Sequence, residues 1–421
     1  MLKKMKRVVI TGVGVVSPLG SDKEKFWNGL VKGESAIGQV TKLDAGLYPR
    51  NRAAEVKDWQ QLPEAEDSAL SDFGQAVGYS VAAGRMALQD AELGIIKDTH
   101  NDYDVLIGTT MGNQDIVERV INKYDLSESE PKKNICSKDL ENFSASLLST
   151  EVARRFGFNG CAATLVNACA AGNYSVGLAF DRIRTGRSKL ILAGGADPFS
   201  RTCYTIFHRL NASSSDQCKP FDQDRNGMVV GEGAAMLVLE DYDHAVTRNA
   251  DIYAEVTGYA LTCDAYHATA PHPEGLGAVN AMHRALKVAD LSPQQIDYVS
   301  AHGTGTQAND YSEAFALHKV FGDRFSELPV SSIKSMIGHC MGAASAFEAV
   351  ASVLAIRHQT LPPTINTKTV DPDFPAAMDV IPGRSRKTQV KHVMSNAFAF
   401  GGNVSTVIFS QLDPTDSNCN V

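Results

Sequence analysis

Ala168–Arg187 reads ACAAGNYSVGLAFDRIRTGR, and Gly338–Gln359 reads GHCMGAASAFEAVASVLAIRHQ. In both, a residue of reactive potential (Cys169, His339) precedes small residues that continue as a helix of similar length ending in Ile-Arg. The echo is not isolated. RMALQDAELG from Arg85 returns as RALKVADLSP from Arg284, and a strand ending in glycine and threonine follows each, DYDVLIGTTMG and IDYVSAHGTG. Glycine-bounded apolar segments such as KRVVITGVGVVSP and KLILAGGADP alternate with helix-like stretches, which predicts a layered α/β protein with buried strands. The repeat divides the chain into two related halves, 1–250 and 251–421, with no low-complexity linker where TRNADIYAEV starts a new strand. A two-fold arrangement of such halves brings Cys169 and His339 together at the pseudo-symmetric centre.

Composition narrows the function classes. With 43% hydrophobic and 21% charged residues, the 421-residue chain is an ordinary soluble globular protein. A net charge of −8 argues against a surface made for nucleic acid or anionic lipid, so an acidic partner needs a local basic patch. No apolar run reaches the roughly 18 residues that a membrane span needs. The start, MLKKMKRVVITGVGVV, has a signal-like order of charge and apolar residues, but Gly12, Gly14, Ser17 and Pro18 interrupt it, and it reads as a first buried strand. The eight cysteines are scattered without a CxxC pair, which excludes a disulfide framework or zinc ribbon and points to a reducing cytoplasm.

Several motifs bear on chemistry. TGVGVVSPLG invites a dinucleotide reading, but Ser17-Pro18 stands where the third glycine should open a helix, so a buried strand and turn is the better account. Cys169 precedes a plausible helix, where unpaired N–H groups and the helix dipole favour a thiolate; a compact buried side chain is the competing reading. SAHGTGTQAND puts His302 at a strand end, and SSIKSMIGHCMGAAS puts His339 five residues after Lys334. A cysteine, two histidines and a lysine so placed form a constellation for covalent thiol catalysis, against the alternative of unrelated loop histidines. A metal site is not expected, because His267, His272 and HCMG lack ligand spacing. In MSNAFAFGGNVS, Gly401 and Gly402 permit backbone conformations that aim N–H groups at an oxyanion, while Phe398 and Phe400 read equally well as core.

Taken in order, NACAAG, PFDQDRNGMVVGEGAAMLVLE, DAYHATAPHPEG, AHGTGTQANDYSEA and SSIKSMIGHCMGAAS resemble the β-ketoacyl-acyl carrier protein synthases, condensing enzymes of the thiolase superfamily. The likeness runs from RVVITGVGVVSPLG to AFAFGGNVSTVIFS. It is nearest to the type II elongating branch, which includes the ketosynthase subunits of type II polyketide systems. The initiating branch uses cysteine, histidine and asparagine, and the pair His302 and His339 argues against it. The resemblance implies a thiolase-like fold, two pseudo-symmetric halves in a five-layered α-β-α-β-α architecture. It implies a decarboxylative Claisen condensation in which Cys169 takes an acyl chain from a carrier-protein thioester. His302 and His339 then donate together from Nε2 to the enolate left when a malonyl unit loses carbon dioxide. Backbone N–H groups of Cys169 and Phe400 form the second oxyanion hole, and Lys334 orients the site through a polar network with Glu313. Thr304 and Thr306 hold the phosphopantetheine arm, Thr269 lines the entrance, Phe400 gates, and Gly401 beside it is a further substrate-binding residue on the cavity.

The same resemblance implies no bound cofactor, an acyl carrier protein as partner, and a dimer, either of identical chains or with a chain-length factor. Lys132, Lys133 and Arg209 lie where the family carries basic docking residues. The sequence departs from the fatty-acid pattern at AFGGNV, at ACAAGNYS and at GTTMGNQD, which puts Met111 near where acyl selectivity is set. These departures tilt the reading from housekeeping fatty-acid elongation towards polyketide or polyene assembly. Two rivals are weaker: a chain-length factor lacks the cysteine, and a coenzyme A thiolase needs a second catalytic cysteine, for which Cys340 is the nearby candidate and reads as packing filler.

Overall fold

The computed structural model describes residues 5–94, 102–124 and 137–412. VVITGVGVV forms strand β1 (Val8–Val16), buried along its whole length. Its glycines serve packing. A Cβ on Gly14 would stand 2.1 Å from the Ala83 carbonyl oxygen, so helix α1 (Gln75–Asp90) lies directly on the strand. Four more strands complete this half: β2 (Asp104–Gly108), β3 (Ala162–Leu165), β4 (Leu190–Asp197) and β5 (Gly233–Asp241). Helices α2 (Leu147–Phe156), α3 (Ala171–Arg184) and α4 (Arg201–Arg209) fall among them. The second half contributes β6 (Ala254–Cys263), α5 (Leu276–Ala289), β7 (Tyr298–Ser300), α6 (Gln307–Phe321), β8 (Val330–Ser331), α7 (Ala344–His358), β9 (His392–Ala399) and β10 (Asn403–Ser410).

The ten strands hydrogen-bond in the order β8-β7-β9-β10-β6-β1-β5-β4-β2-β3. Outward from the β6–β1 junction, both arms take the first, fifth, fourth, second and third strand of their half. In both arms the inner two pairings are antiparallel and the outer two parallel. Only Val8, Val9 and Ile10 cross the junction, opposite Val256, Glu255 and Ala254. The internal repeat seen in the sequence is thus a repeat of topology, and α1 and α5, which carry RMALQDAELG and RALKVADLSP, occupy matching places.

Layering follows from which helices are buried all round. α1 and α2 cover one arm of the sheet; α5 covers the other, with α6 packed beside α5 and sharing its apolar cluster. Between the arms lie α3 and α7. Every residue from Ala344 to Ile356 is buried, the expected state of a helix that is small and apolar on all faces. The two helices meet at their N-termini, where Asn173 N–H donates to Ser345 Oγ at 2.9 Å and a Cβ on Gly172 would stand 2.6 Å from the Ala346 nitrogen. The result is the five-layered α-β-α-β-α thiolase-like architecture. Among the described residues no helix is long and apolar enough to cross a membrane.

Candidate active site

α3 and α7 each begin behind a one-turn helix, Ala168–Ala170 and Met341–Ala343. Both turns open on a non-glycine residue at positive φ, Ala168 at 49° and Met341 at 51°. Such conformations persist only where surrounding packing enforces them, and they cluster at sites of function. Here the turns bring Cys169 and His339 to one cavity of about 380 Å³, which His302, Thr304, Thr306, Thr269, Phe398 and Phe400 also line. The juxtaposition expected at the two-fold centre is therefore present.

Cys169 is 5% exposed, and burial pushes its thiol up to about 12. The helix start does not overcome that desolvation, so the resting group is a thiol and not the expected thiolate. Nucleophilic attack then requires the proton to leave as the new S–C bond forms.

The imidazoles of His302 and His339 stand edge to face, 5.4 Å apart at 84°. Burial, reinforced by the Lys334 ammonium, holds both well below the usual histidine range, so both are neutral. Lys334 Nζ lies 3.2 Å from His302 Nδ1 and donates to the His302 carbonyl at 2.6 Å. An ammonium offers only hydrogens, so Nδ1 accepts and the ring proton of His302 sits on Nε2. His339 differs. Its Nδ1 is buried with no partner among the described residues, and its hold is on the backbone: its N–H donates to Val229 O at 2.6 Å, and its carbonyl accepts from Gly231 N–H at 2.9 Å.

The carboxylate partner of Lys334 is not the expected Glu313. Lys334 is paired with Glu348, one turn into α7, and both are fully buried. Glu313, on α6, instead accepts the backbone N–H groups of His302 at 2.9 Å and Gly303 at 2.8 Å, and so shapes the loop that carries His302. The reason is placement: two backbone donors already fill its oxygens. Burial raises Glu313 to about 8 and Glu348 to about 7. Asp310, three residues earlier on α6, accepts Thr304 N–H at 3.0 Å and Gly305 N–H at 3.2 Å. Thr304 and Thr306 reach the cavity wall with their hydroxyls 2.8 Å apart.

Gly401 does not line the cavity, contrary to expectation. At φ 77° it donates its N–H to Ala268 O at 2.8 Å, which pins the Phe400 loop to the segment carrying Thr269. Phe400 itself lies on the wall, its ring 5.7 Å from that of Phe207 on α4. Met111 stands off the wall as well and packs in the apolar cluster of Cys203, Phe207, Met341 and Phe400. Arg209 is exposed at the end of α4, where it borders a shallow apolar groove shared with Ile206, Leu210, Thr269 and Phe400. Lys132 and Lys133 lie outside the described residues. Cys340 is buried off the cavity wall, with its Sγ 3.5 Å from Ile337 O, as packing filler would be. Two residues that the motifs did not single out matter here. Glu348 was visible as the one acid in ASAFEAVASVLAI, whereas Asp197, which accepts Met111 N–H at 2.7 Å, carried no signal beyond following AGGA.

Comparison with known families agrees with this geometry. The model described as Beta-ketoacyl synthase, N-terminal domain, matches residues 5–245, and Beta-ketoacyl synthase, C-terminal domain, matches 253–368. The chain belongs to the β-ketoacyl synthase family. Among relatives of this synthase, a 3-oxoacyl-[acyl-carrier-protein] synthase 2 of Synechocystis sp. is 36% identical over 414 residues, covering 96% of this chain and 98% of the relative. A solved structure titled the ishigamide ketosynthase/chain length factor is 39% identical with a TM-score of 0.91, covering 97% of this chain and 100% of that one. Another, of AntDE:AntF, a type II PKS acyl-carrier protein in complex with its ketosynthase, is 32% identical with a TM-score of 0.89 at the same coverage. The synthase is an enzyme of the acyltransferase type, a 3-oxoacyl synthase of the elongating type II branch.

Proposed function

We propose that this synthase lengthens an acyl chain by decarboxylative Claisen condensation with a malonyl unit, both delivered as thioesters of an acyl carrier protein. The N-terminal half, 1–250, supplies the nucleophile, and the C-terminal half, 251–421, supplies the two histidines and the lysine. Cys169 Sγ attacks the acyl thioester; its proton passes to the departing phosphopantetheine thiol, and the chain remains as a thioester on Cys169. The N–H groups of Cys169 and Phe400 hold the oxyanion of that step. A malonyl thioester then enters and its C–C bond to the carboxylate breaks, releasing carbon dioxide. The electron pair is held as an enolate by Nε2–H of His302 and of His339. The enolate carbon attacks the acyl carbonyl and expels Cys169 as a thiolate, which leaves a 3-oxoacyl chain on the carrier protein. The thiolate takes up a proton from solvent to restore the resting thiol.

The observation that carries this reading is the opening of Cys169, His302 and His339 onto one cavity, with the His302 proton fixed on Nε2 by Lys334. Lys334 acts here by position, through the carbonyl and Nδ1 of His302 and its pair with Glu348. Thr304 and Thr306 receive the phosphopantetheine arm, Phe400 gates the cavity beside Gly401, Thr269 marks the mouth, and Met111 tunes acyl selectivity from behind Phe400. The chemistry needs no cofactor or metal, because the substrates carry their own activation.

The carrier protein docks through a basic patch to which Arg209, Lys132 and Lys133 contribute. The functional unit is a dimer, with a second copy or with a chain-length factor, in the cytoplasm. The chain's departures at Asn403-Val404 and around Met111, with its 39% identity to the ishigamide ketosynthase, favour polyketide or polyene assembly over housekeeping fatty-acid elongation. Incubation with acyl- and malonyl-carrier protein should yield a 3-oxoacyl-carrier protein and carbon dioxide. A well-folded chain that yields neither, alone or with a co-purified partner subunit, contradicts the assignment.

A further inference from the structure

Asp197, the last residue of β4, is fully buried and forms no ion pair among the described residues. Four donors converge on it instead. One oxygen accepts Thr109 Oγ1–H at 2.8 Å and Met111 N–H at 2.7 Å; the other accepts Thr110 N–H at 2.8 Å and Gly342 N–H at 2.6 Å. Three of these come from the loop after β2, and the fourth from the turn before α7. The close approach needs glycine on both sides. A Cβ on Gly342 would stand 2.5 Å from the Thr110 nitrogen, and one on Gly195 would stand 2.7 Å from the Gly342 carbonyl oxygen.

Gly342 holds in its half the place that Cys169 holds in the other, second in a turn that opens at positive φ. It is also the third residue after His339. The two histidines are held differently, and that difference is what gives Asp197 a role. His302 has its ring fixed at Nδ1 by Lys334, whereas His339 Nδ1 has no partner among the described residues. The direction of the His339 ring therefore depends on the backbone of residues 339–342. Val229 and Gly231 hold one end of that segment, and Asp197 holds the other.

We propose that Asp197 is a positioning residue whose carboxylate fixes the turn that aims His339 and locks the Met111 loop against it. The inference rests on the assignment of His339 to the enolate. Asp197 touches no substrate in this scheme. Its influence should therefore fall on carbon dioxide release and not on acyl transfer, and its negative charge, which helps to raise the Cys169 thiol, should slow acyl transfer if it affects that step at all.

The test is Asp197→Asn in the full chain. An asparagine presents an acceptor to only one pair of donors and sets its own N–H groups against the other pair, so the turn must shift. Acylation of Cys169 from an acyl-carrier protein, followed by intact mass, should stay within about threefold of wild type or quicken. Carbon dioxide release from malonyl-carrier protein should fall by about 30-fold or more, approaching the loss of one oxyanion donor. In a His339→Ala background the substitution should add less than about twofold, because the two residues act as a unit. Equal slowing of both half-reactions, or carbon dioxide release within about threefold of wild type, overturns the proposal.

If Asp197→Asn does not fold, Thr109→Val removes one donor to the same carboxylate and the acceptor of Gly112 N–H at 2.9 Å. It should show the same split at about three- to tenfold, and its absence would likewise overturn the proposal. A wild-type chain that releases no carbon dioxide overturns the functional reading and this inference with it. A competent wild type matched by the variant overturns the inference alone.

Discussion

Replacing Lys334 with methionine keeps the length of the side chain and removes its charge and donors. The structure sets the expected size of the effect. Three acceptors lose their partner: Glu348, the His302 carbonyl and His302 Nδ1. Breaking a buried pair by removing one member costs about 3–5 kcal/mol, because a charge is left uncompensated. Glu348 has an escape, since burial already raises it to about 7 and loss of the ammonium raises it further. A carboxyl whose folded pKa is raised contributes stability that is fully present below its unfolded value and is lost as pH rises through the folded one.

Below about 7, wild type and variant both hold Glu348 protonated, and the variant lacks only hydrogen bonds, at about 1.5–3 kcal/mol. Above it, the variant alone must keep a proton or bury a bare carboxylate, and the deficit grows towards about 4 kcal/mol. At about 2.1 cal/mol/K per residue the unfolding entropy is ~0.9 kcal/mol/K, so the expected Tm deficit is ~2–3 °C at pH 6 and ~4–5 °C at pH 8.5. Differential scanning calorimetry at the two pH values measures this. Carbon dioxide release should fall about 10²-fold or more at both, because nothing then fixes the His302 proton on Nε2. An equal Tm deficit at both pH values, or a variant that decarboxylates normally, would refute the reasoning.

Three further outcomes follow from the same geometry. With Glu313 raised from 4.5 to about 8 and Glu348 from 4.5 to about 7, their contribution to wild-type stability should decline as pH rises from 4.5 and level off above about 8, and Glu313→Gln should make the decline shallower, most plainly between pH 7 and 8, in thermal melts across the range. With the Cys169 thiol at about 12, its alkylation by iodoacetamide, mapped by peptide mass, should climb about tenfold per pH unit from pH 7.5 to 9.5 without levelling off. A plateau near pH 8.5, the behaviour of an ordinary free thiol, would show that burial does not control it. Gly342→Ala would set a methyl 2.5 Å from the backbone of Thr109 and Thr110, so denaturant unfolding should register a loss of about 2 kcal/mol or more.

The fold was legible because duplication writes itself into the sequence twice. RMALQDAELG and RALKVADLSP became α1 and α5, and the two small-residue helices became α3 and α7 at the centre. Cys169, His302, His339 and Lys334 were legible because each sits at a strand end or helix start, where a sequence pattern marks a change of backbone. The partner of Lys334 was not, because a buried ion pair depends on which helix passes nearby, and the family resemblance pointed to Glu313 and not to Glu348. The misplacement of Gly401 has a similar cause. Two glycines announce an unusual backbone, but the direction of each N–H depends on a partner 133 positions away in the sequence, Ala268, which accepts it. Asp197 escaped notice because its four donors come from two loops that meet only in the folded chain. The resting state of Cys169 escaped for the same reason, since desolvation belongs to the whole assembly and not to the helix start.

In the proposed mechanism Cys169 carries the growing chain at a cavity where two neutral histidines await the malonyl unit. The most direct measurement is intact mass and peptide mapping after exposure to an acyl-carrier protein, followed by a chase with malonyl-carrier protein. An acyl adduct is expected on the peptide containing Cys169, absent from Cys169→Ala, discharged by malonyl-carrier protein in wild type but retained in His302→Ala and His339→Ala. An adduct on another cysteine, or one that the histidine variants discharge at the wild-type rate, would contradict it.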